Sequence, residues 1–144
     1  MKNVILGKTG LKISRLGFGG IPIQQSDAEK VKTLMKFMME KGINYIDTAR
    51  GYTVSESYIG EALKGIRDHF VLATKSMART KEAMEKDINI SLCNLQTDYI
   101  DLYQVHGTAG CSNSGRGSTG SFAGGKKRGE NWSYRTDSTF CGSL

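Results

Sequence analysis

From Arg15 to His106 the chain alternates short apolar runs of strand length with segments of helical apolar period, which leaves few folds open. Arg15–Gly19, Ile43–Thr48, Phe70–Thr74 and Tyr99–Val105 read as strands. Ser26-Asp27-Ala28-Glu29 reads as a capping box opening a helix, with Val31, Leu34, Met35, Met38 and Met39 spaced to line one face. Thr53-Val54-Ser55-Glu56 reads as a second such box, followed by Ile59, Ala62, Leu63 and Ile66. A third helix is expected from about Thr80 to Leu95, presenting Met84, Ile88, Leu92 and Leu95. Phe70–Thr74 is continuously apolar, as a strand covered on both faces would be. Strand–helix alternation with compact loops implies right-handed βαβ units and a parallel sheet, an α/β fold. Ahead of it, Lys2–Leu6 and Leu11–Ile13 flank Gly7-Lys8-Thr9-Gly10 and predict a small hairpin. Four parallel strands do not close a (β/α)8 barrel, which needs eight and about 250 residues.

The pattern stops after His106. Gly107–Leu144 holds 9 Gly and 7 Ser, no Ile, Val or Met, and a single Leu at its end, so it has too little apolar surface to offset its ordering entropy. The expectation is a structured segment over 1–106 and a disordered Gly/Ser-rich tail over 107–144.

Composition narrows the function classes. Lys2, Lys8, Lys12 and Arg15 interrupt the first 20 residues, unlike a secretory leader, and no apolar run approaches the roughly 20 residues of a membrane span. Cys93, Cys111 and Cys141 are scattered without CxxC spacing, which suggests neither a disulfide framework nor a metal site and fits a reducing cytoplasm. Of the net charge of +6, residues 1–106 supply half (15 Lys+Arg against 12 Asp+Glu), so the main body carries no basic stripe. Gly115-Arg116-Gly117, Lys126-Lys127-Arg128-Gly129, Trp132 and Tyr134 mix basic and aromatic residues as single-strand nucleic-acid segments do. Such bias also arises without selection, and the reading here is that nucleic acid is not a partner.

Asp47, Tyr52, Lys75 and His106 each fall at or just past the end of an expected strand, which puts all four on one rim of a parallel β/α array. Reducing a carbonyl by hydride requires a proton for the nascent alkoxide. Tyr52 suits that role if a neighbouring ammonium, Lys75, favours its phenolate; Asp47 would keep Lys75 charged, and His106 would polarise the carbonyl oxygen or help deliver the proton. Taken singly, each is more often structural; it is the joint placement that points to chemistry. Arg50 reads as a loop salt-bridge former with substrate contact as the lesser option, Cys93 as a small helix residue, and His69, ahead of a strand, as surface decoration at the opposite rim.

Several ordered blocks carry a resemblance: Leu6-Gly7-Lys8-Thr9-Gly10-Leu11, Leu16-Gly17-Phe18-Gly19-Gly20, Asn44-Tyr45-Ile46-Asp47-Thr48-Ala49 with Gly51-Tyr52, Leu72-Ala73-Thr74-Lys75, and Asp98-Tyr99-Ile100-Asp101-Leu102-Tyr103-Gln104-Val105-His106. In these the chain resembles the N-terminal half of the aldo-keto reductases, over residues 1–106. Ile21-Pro22-Ile23-Gln24 and Ala73-Thr74-Lys75-Ser76-Met77-Ala78-Arg79 resemble a prokaryotic branch that often bears a ferredoxin-like extension, for which this chain has no cluster site. The resemblance implies a TIM-barrel fold, here only its N-terminal half, and reduction of aldehydes or ketones with NADPH or NADH. It implies Asp47, Tyr52, Lys75 and His106 as the catalytic set, Gly20, Ile21 and Asp47 at the nicotinamide end, no metal, and a small carbonyl compound as substrate. The tail aligns with nothing in the family, and a reading-frame slip shortly after His106 is the expectation. The alternative to a working reductase is a catalytically inactive truncated fragment of one.

Overall fold

The computed structural model describes residues 1–107; the tail expected to be disordered lies outside the described residues except for Gly107. A two-stranded antiparallel hairpin comes first, β1 (Asn3–Ile5) with β2 (Lys12–Ser14). Its turn is closed by Leu6 N–H to Leu11 O (2.9 Å) and by the Thr9 hydroxyl on Leu6 O (2.6 Å). Then follow β3 (Gly17–Gly19), α1 (Ala28–Glu40), β4 (Tyr45–Asp47), α2 (Ser55–Ala62), β5 (Val71–Ser76), α3 (Lys81–Leu95) and β6 (Leu102–Val105). The last four strands form one parallel sheet in sequential order, β3-β4-β5-β6. This is the α/β architecture expected, with four strands of the barrel type.

Side-chain alternation sorts the sheet into two faces. Ile46, Thr48, Leu72, Thr74 and Ser76 are buried, and Ile46 and Leu72 pack with the helices. Val31, Met35 and Met38 of α1, Ile59, Ala62 and Leu63 around α2, and Leu92 and Leu95 of α3 complete that core. The helical spacing of these residues is why the three segments fold as helices and why they lie on the sheet. α2 and α3 come so close that a Cβ on Gly60 would stand 2.5 Å from Asn94 O, so only glycine fits that crossing. Asp47 and Lys75 belong to the other face, with the register setting Asp47 opposite Ala73 and Lys75 opposite Gln104.

Both capping boxes are corrected. α1 is capped by Asp27, whose carboxylate accepts from Lys30 N (2.8 Å), one residue later than the box implied. α2 has Val54 at its N-cap with no side-chain cap bond. Glu56, the supposed reciprocal cap, is 1% exposed and accepts instead from the Thr74 hydroxyl (2.8 Å) and Asn94 Nδ2 (3.1 Å), pinning α2 to β5 and α3. A buried carboxylate needs internal donors, and that need outweighs a local cap. α3 starts where expected, with the Thr80 hydroxyl as its cap, accepting from Ala83 N (3.3 Å). Among the described residues, no helix is long and apolar enough to cross a membrane.

Candidate active site at the C-terminal rim of the sheet

Parallel strands all end on one rim, and the four candidate side chains lie there. Asp47 is the last residue of β4, Lys75 the penultimate residue of β5, and His106 follows β6 directly. Tyr52 sits in the loop from β4 to α2, in a turn closed by its N–H on Ala49 O (3.0 Å).

Lys75 is the hub. Its Nζ lies 2.6 Å from Asp47 Oδ2 and 2.9 Å from Thr48 O, and its side chain is 14% exposed against 36% for Asp47. A largely buried ammonium held by a carboxylate and a carbonyl is fixed in one direction. The same Nζ stands 5.1 Å from the centroid of the Tyr52 ring, within cation–π range. The His106 ring meets Tyr52 edge-on, centroids 5.6 Å apart and planes at 86°. Carboxylate, ammonium, phenol and imidazole thus form one continuous cluster.

His106 is placed mainly by its backbone. Its N–H donates to Ser76 O (2.7 Å), continuing the ladder past β6, and its carbonyl accepts from Arg79 Nη2 (3.0 Å), which also reaches Gly107 O (2.6 Å). Its Nδ1 is buried and has no hydrogen-bond partner among the described residues. Tyr45, on the Asp47 side of β4, has its phenol pushed up, first by desolvation and then by the Asp47 carboxylate, so it stays protonated and donates poorly. Among the described residues Arg50 enters no ion pair, against the expectation of a loop salt bridge; its N–H bonds Lys75 O (2.9 Å) and its Nε is buried without a partner there. His69 is exposed and precedes β5, at the far end of the sheet from the cluster.

The expected cofactor positions adjoin the cluster. Gly20 N–H donates to Asp47 O (2.8 Å), which ties the end of β3 to the end of β4. Open space lies where a Cβ on Gly19 would point, and Ile21 is 56% exposed. Bare backbone, an exposed apolar side chain and the accessible Asp47 carboxylate together fit a flat group with polar edges, such as a nicotinamide riboside. Among the described residues, no group of three or more His, Cys, Asp or Glu is placed to hold a metal ion. Two participants were missed as such in the sequence: Thr48 and Ser55, whose hydroxyls bond each other (2.9 Å) while that of Ser55 bonds Gly20 O (2.9 Å). In the sequence Ser55 reads as part of a capping motif, and only the fold reveals its second partner.

Known proteins are similar to this chain in sequence and in the arrangement of its strands. The sequence profile of the aldo/keto reductase family matches residues 15–110. An uncharacterized oxidoreductase of Bacillus subtilis, YqkF, is 36% identical over 125 residues, covering 74% of this chain and 39% of the relative. Among solved structures, the holo form of an aldo-keto reductase from Bacillus halodurans superposes with a TM-score of 0.66 at 39% identity, covering 74% of this chain and 40% of that one. An aldo/keto reductase from Klebsiella pneumoniae in complex with NADP and acetate gives 0.63 at 29% identity, covering 67% of this chain and 36% of that one. The chain therefore spans less than half the length of these relatives, and within that span it belongs to the aldo/keto reductase family.

Proposed function

We propose that this chain carries the proton-donating half of a reductase site that converts aldehydes or ketones to alcohols with NADPH or NADH in the cytoplasm. The observation that carries the reading is Lys75 Nζ, fixed 2.6 Å from Asp47 and 5.1 Å from the Tyr52 ring, with His106 edge-on to that ring. The reduced nicotinamide, when bound, supplies the hydride. Gly20, Ile21 and Asp47 would hold it at the ends of β3 and β4.

The protein's own residues manage the proton. His106 orients the carbonyl oxygen by donating to it from its imidazole ring. As negative charge develops on that oxygen, the Tyr52 hydroxyl transfers its proton there. The charge left on the phenol oxygen is stabilised by the Lys75 ammonium, a preorganised cation beside a group that becomes anionic only during reaction. Asp47 keeps Lys75 from turning toward solvent. A small carbonyl compound is the substrate class.

A second reading has its own support: the chain spans 39% of the first relative, and its tail, proposed to follow a frame slip, holds no Ile, Val or Met. In that reading the cluster is built but the chain is catalytically silent. Mixing the purified chain with NADPH separates the two. A shift or quench of nicotinamide fluorescence supports the reductase reading, and unchanged fluorescence at cofactor in excess supports the silent fragment.

A further inference from the structure

We propose that Thr48 and Ser55 are positioning residues for the reduction, a buried hydroxyl pair that fixes the Gly20 end of β3 relative to Lys75 and Tyr52; the inference rests on the function proposed above. Neither residue faces solvent, both being 0% exposed. The direction of the bonds follows from counting hydrogens. Ser55 Oγ has one proton, and it goes to Gly20 O (2.9 Å), the only acceptor of that contact. In the Thr48–Ser55 contact (2.9 Å), Thr48 Oγ1 is therefore the donor. The chain runs one way: Thr48 hydroxyl to Ser55 hydroxyl to Gly20 carbonyl.

Each member of that chain also holds a piece of the reactive cluster by its backbone. Thr48 O accepts from Lys75 Nζ (2.9 Å). Ser55 N–H donates to Tyr52 O (2.7 Å), and Gly20 N–H donates to Asp47 O (2.8 Å). Both polar groups of Gly20 are thus committed, and the two hydroxyls connect the Lys75 ammonium, the Tyr52 turn and the β3 end through buried contacts. The fit is close: a Cβ on Gly20 would lie 2.6 Å from Ser55 Oγ and 2.9 Å from Thr48 Oγ1, so the pair reaches Gly20 only because it is glycine. In the proposed function, Gly20 and Ile21 face the hydride source while Tyr52 and Lys75 supply the proton. The hydroxyl pair sets the distance between those two halves without touching substrate or cofactor.

Thr48→Val removes the hydroxyl at nearly constant volume, and Thr48→Ser retains it; both are made in the full chain. Hydrogen exchange at the Gly20 amide is read by NMR, together with the dissociation constant for reduced nicotinamide mononucleotide. The expected result is at least a tenfold loss of Gly20 protection and a several-fold weaker dissociation constant in Thr48→Val. Thr48→Ser should restore both, and the Leu72 amide at the opposite end of the sheet should be unchanged in each. Unchanged Gly20 protection in Thr48→Val overturns the inference, as does lost protection with unaltered nucleotide binding, which marks a merely structural pair. Should the wild-type chain bind no nucleotide, the function proposed above fails and takes this inference with it, an outcome distinguishable from the others because it needs no variant. If Thr48→Val does not fold, Ser55→Ala is read the same way, cutting the chain at its second link.

Discussion

The two ends of the parallel sheet each carry an ion pair bridging neighbouring elements, and they are built differently. At the N-terminal end Arg67 Nη2 meets Asp101 Oδ2 at 2.7 Å, both side chains 13% exposed. That guanidinium also bonds Phe70 O (2.7 Å) and Tyr99 O (3.1 Å) and lies 4.0 Å from the Tyr99 ring centroid, while the same Asp101 oxygen accepts from Leu72 N (2.9 Å). At the C-terminal end, among the described residues, Lys75 bonds Asp47 and Thr48 O alone, and beside it His106 Nδ1 and Arg50 Nε have no partner. Arginine, planar with several fixed donors, locks backbone segments together; lysine is a point charge that can serve a changing neighbour. Each end leaves a buried nitrogen without a partner among the described residues, Arg67 Nε below and His106 Nδ1 and Arg50 Nε above; the difference is that the lower pair ties three backbone segments together, whereas Lys75 stands beside the Tyr52 ring.

The largest test of that contrast lies at the upper end. Tyr52→Phe keeps the ring over Lys75 and against His106 and removes only the hydroxyl. Reduction should fall by about 10²–10⁴-fold, the range for loss of a positioned proton donor, with cofactor affinity nearly intact. Steady-state turnover alongside a fluorescence titration checks both halves, and undiminished turnover removes Tyr52 as the acid. Arg67→Met should do the reverse. It strands Asp101 and frees two carbonyls, costing about 2–3 kcal/mol, between the values for exposed and buried pairs. Urea midpoints report this, and nucleotide binding per folded molecule should not change. If Lys75→Met lowers the midpoint as much as Arg67→Met, the two ends are equally structural and the comparison breaks.

A third test places Tyr103 between the two ends. On the helix-facing side of β6 its phenol is pushed up to about 12, first by desolvation. The folded state therefore holds this proton more tightly than the unfolded chain, whose phenol titrates near 10. The contribution is fully present below pH 10 and is lost as the pH rises from 10 to about 12. It amounts to roughly 2 kcal/mol, and Tyr103→Phe should flatten that part of the difference in urea midpoints against pH. If wild type and variant fall in parallel, the phenol is not the group responsible.

Much of this arrangement was legible in the sequence because it depends on local pattern. Short apolar runs and helical spacing gave the strands, the parallel sheet and the faces of α1 and α3, and the ends of strands gave the positions of Asp47, Lys75 and His106. What escaped was non-local. Glu56 looks like a cap until Thr74 and Asn94, 18 and 38 residues away, supply its donors. Arg67 and Asp101, 34 residues apart, show nothing in sequence of the lock they form. Ser55 and Gly20 are joined by a hydroxyl–carbonyl bond spanning 35 residues, where a local reading saw one capping motif and one glycine. Polar groups that satisfy each other across the fold leave no periodic trace.

The smallest expected effect probes strain beside Tyr52. Thr53 has φ +37°, a left-handed conformation that a β-branched residue adopts at a cost, and its hydroxyl donates to Gln24 Oε1 (3.0 Å) across the rim. Nothing comparable occurs at the Arg67–Asp101 end among the described residues, where the positive-φ residues Gln96 and Gly65 end helical segments. Thr53→Gly removes the clash, loses one exposed hydrogen bond and adds freedom to the unfolded chain, so the net gain should be about 1 kcal/mol, read as a higher urea midpoint. Thr53→Ala keeps a Cβ in the same conformation and loses the same bond, so it should gain nothing. Equal midpoints for the two variants would place the cost elsewhere than the backbone. If glycine stabilises while turnover drops, the strained turn is holding Tyr52 toward Lys75, and the upper end has given up stability that the lower end keeps.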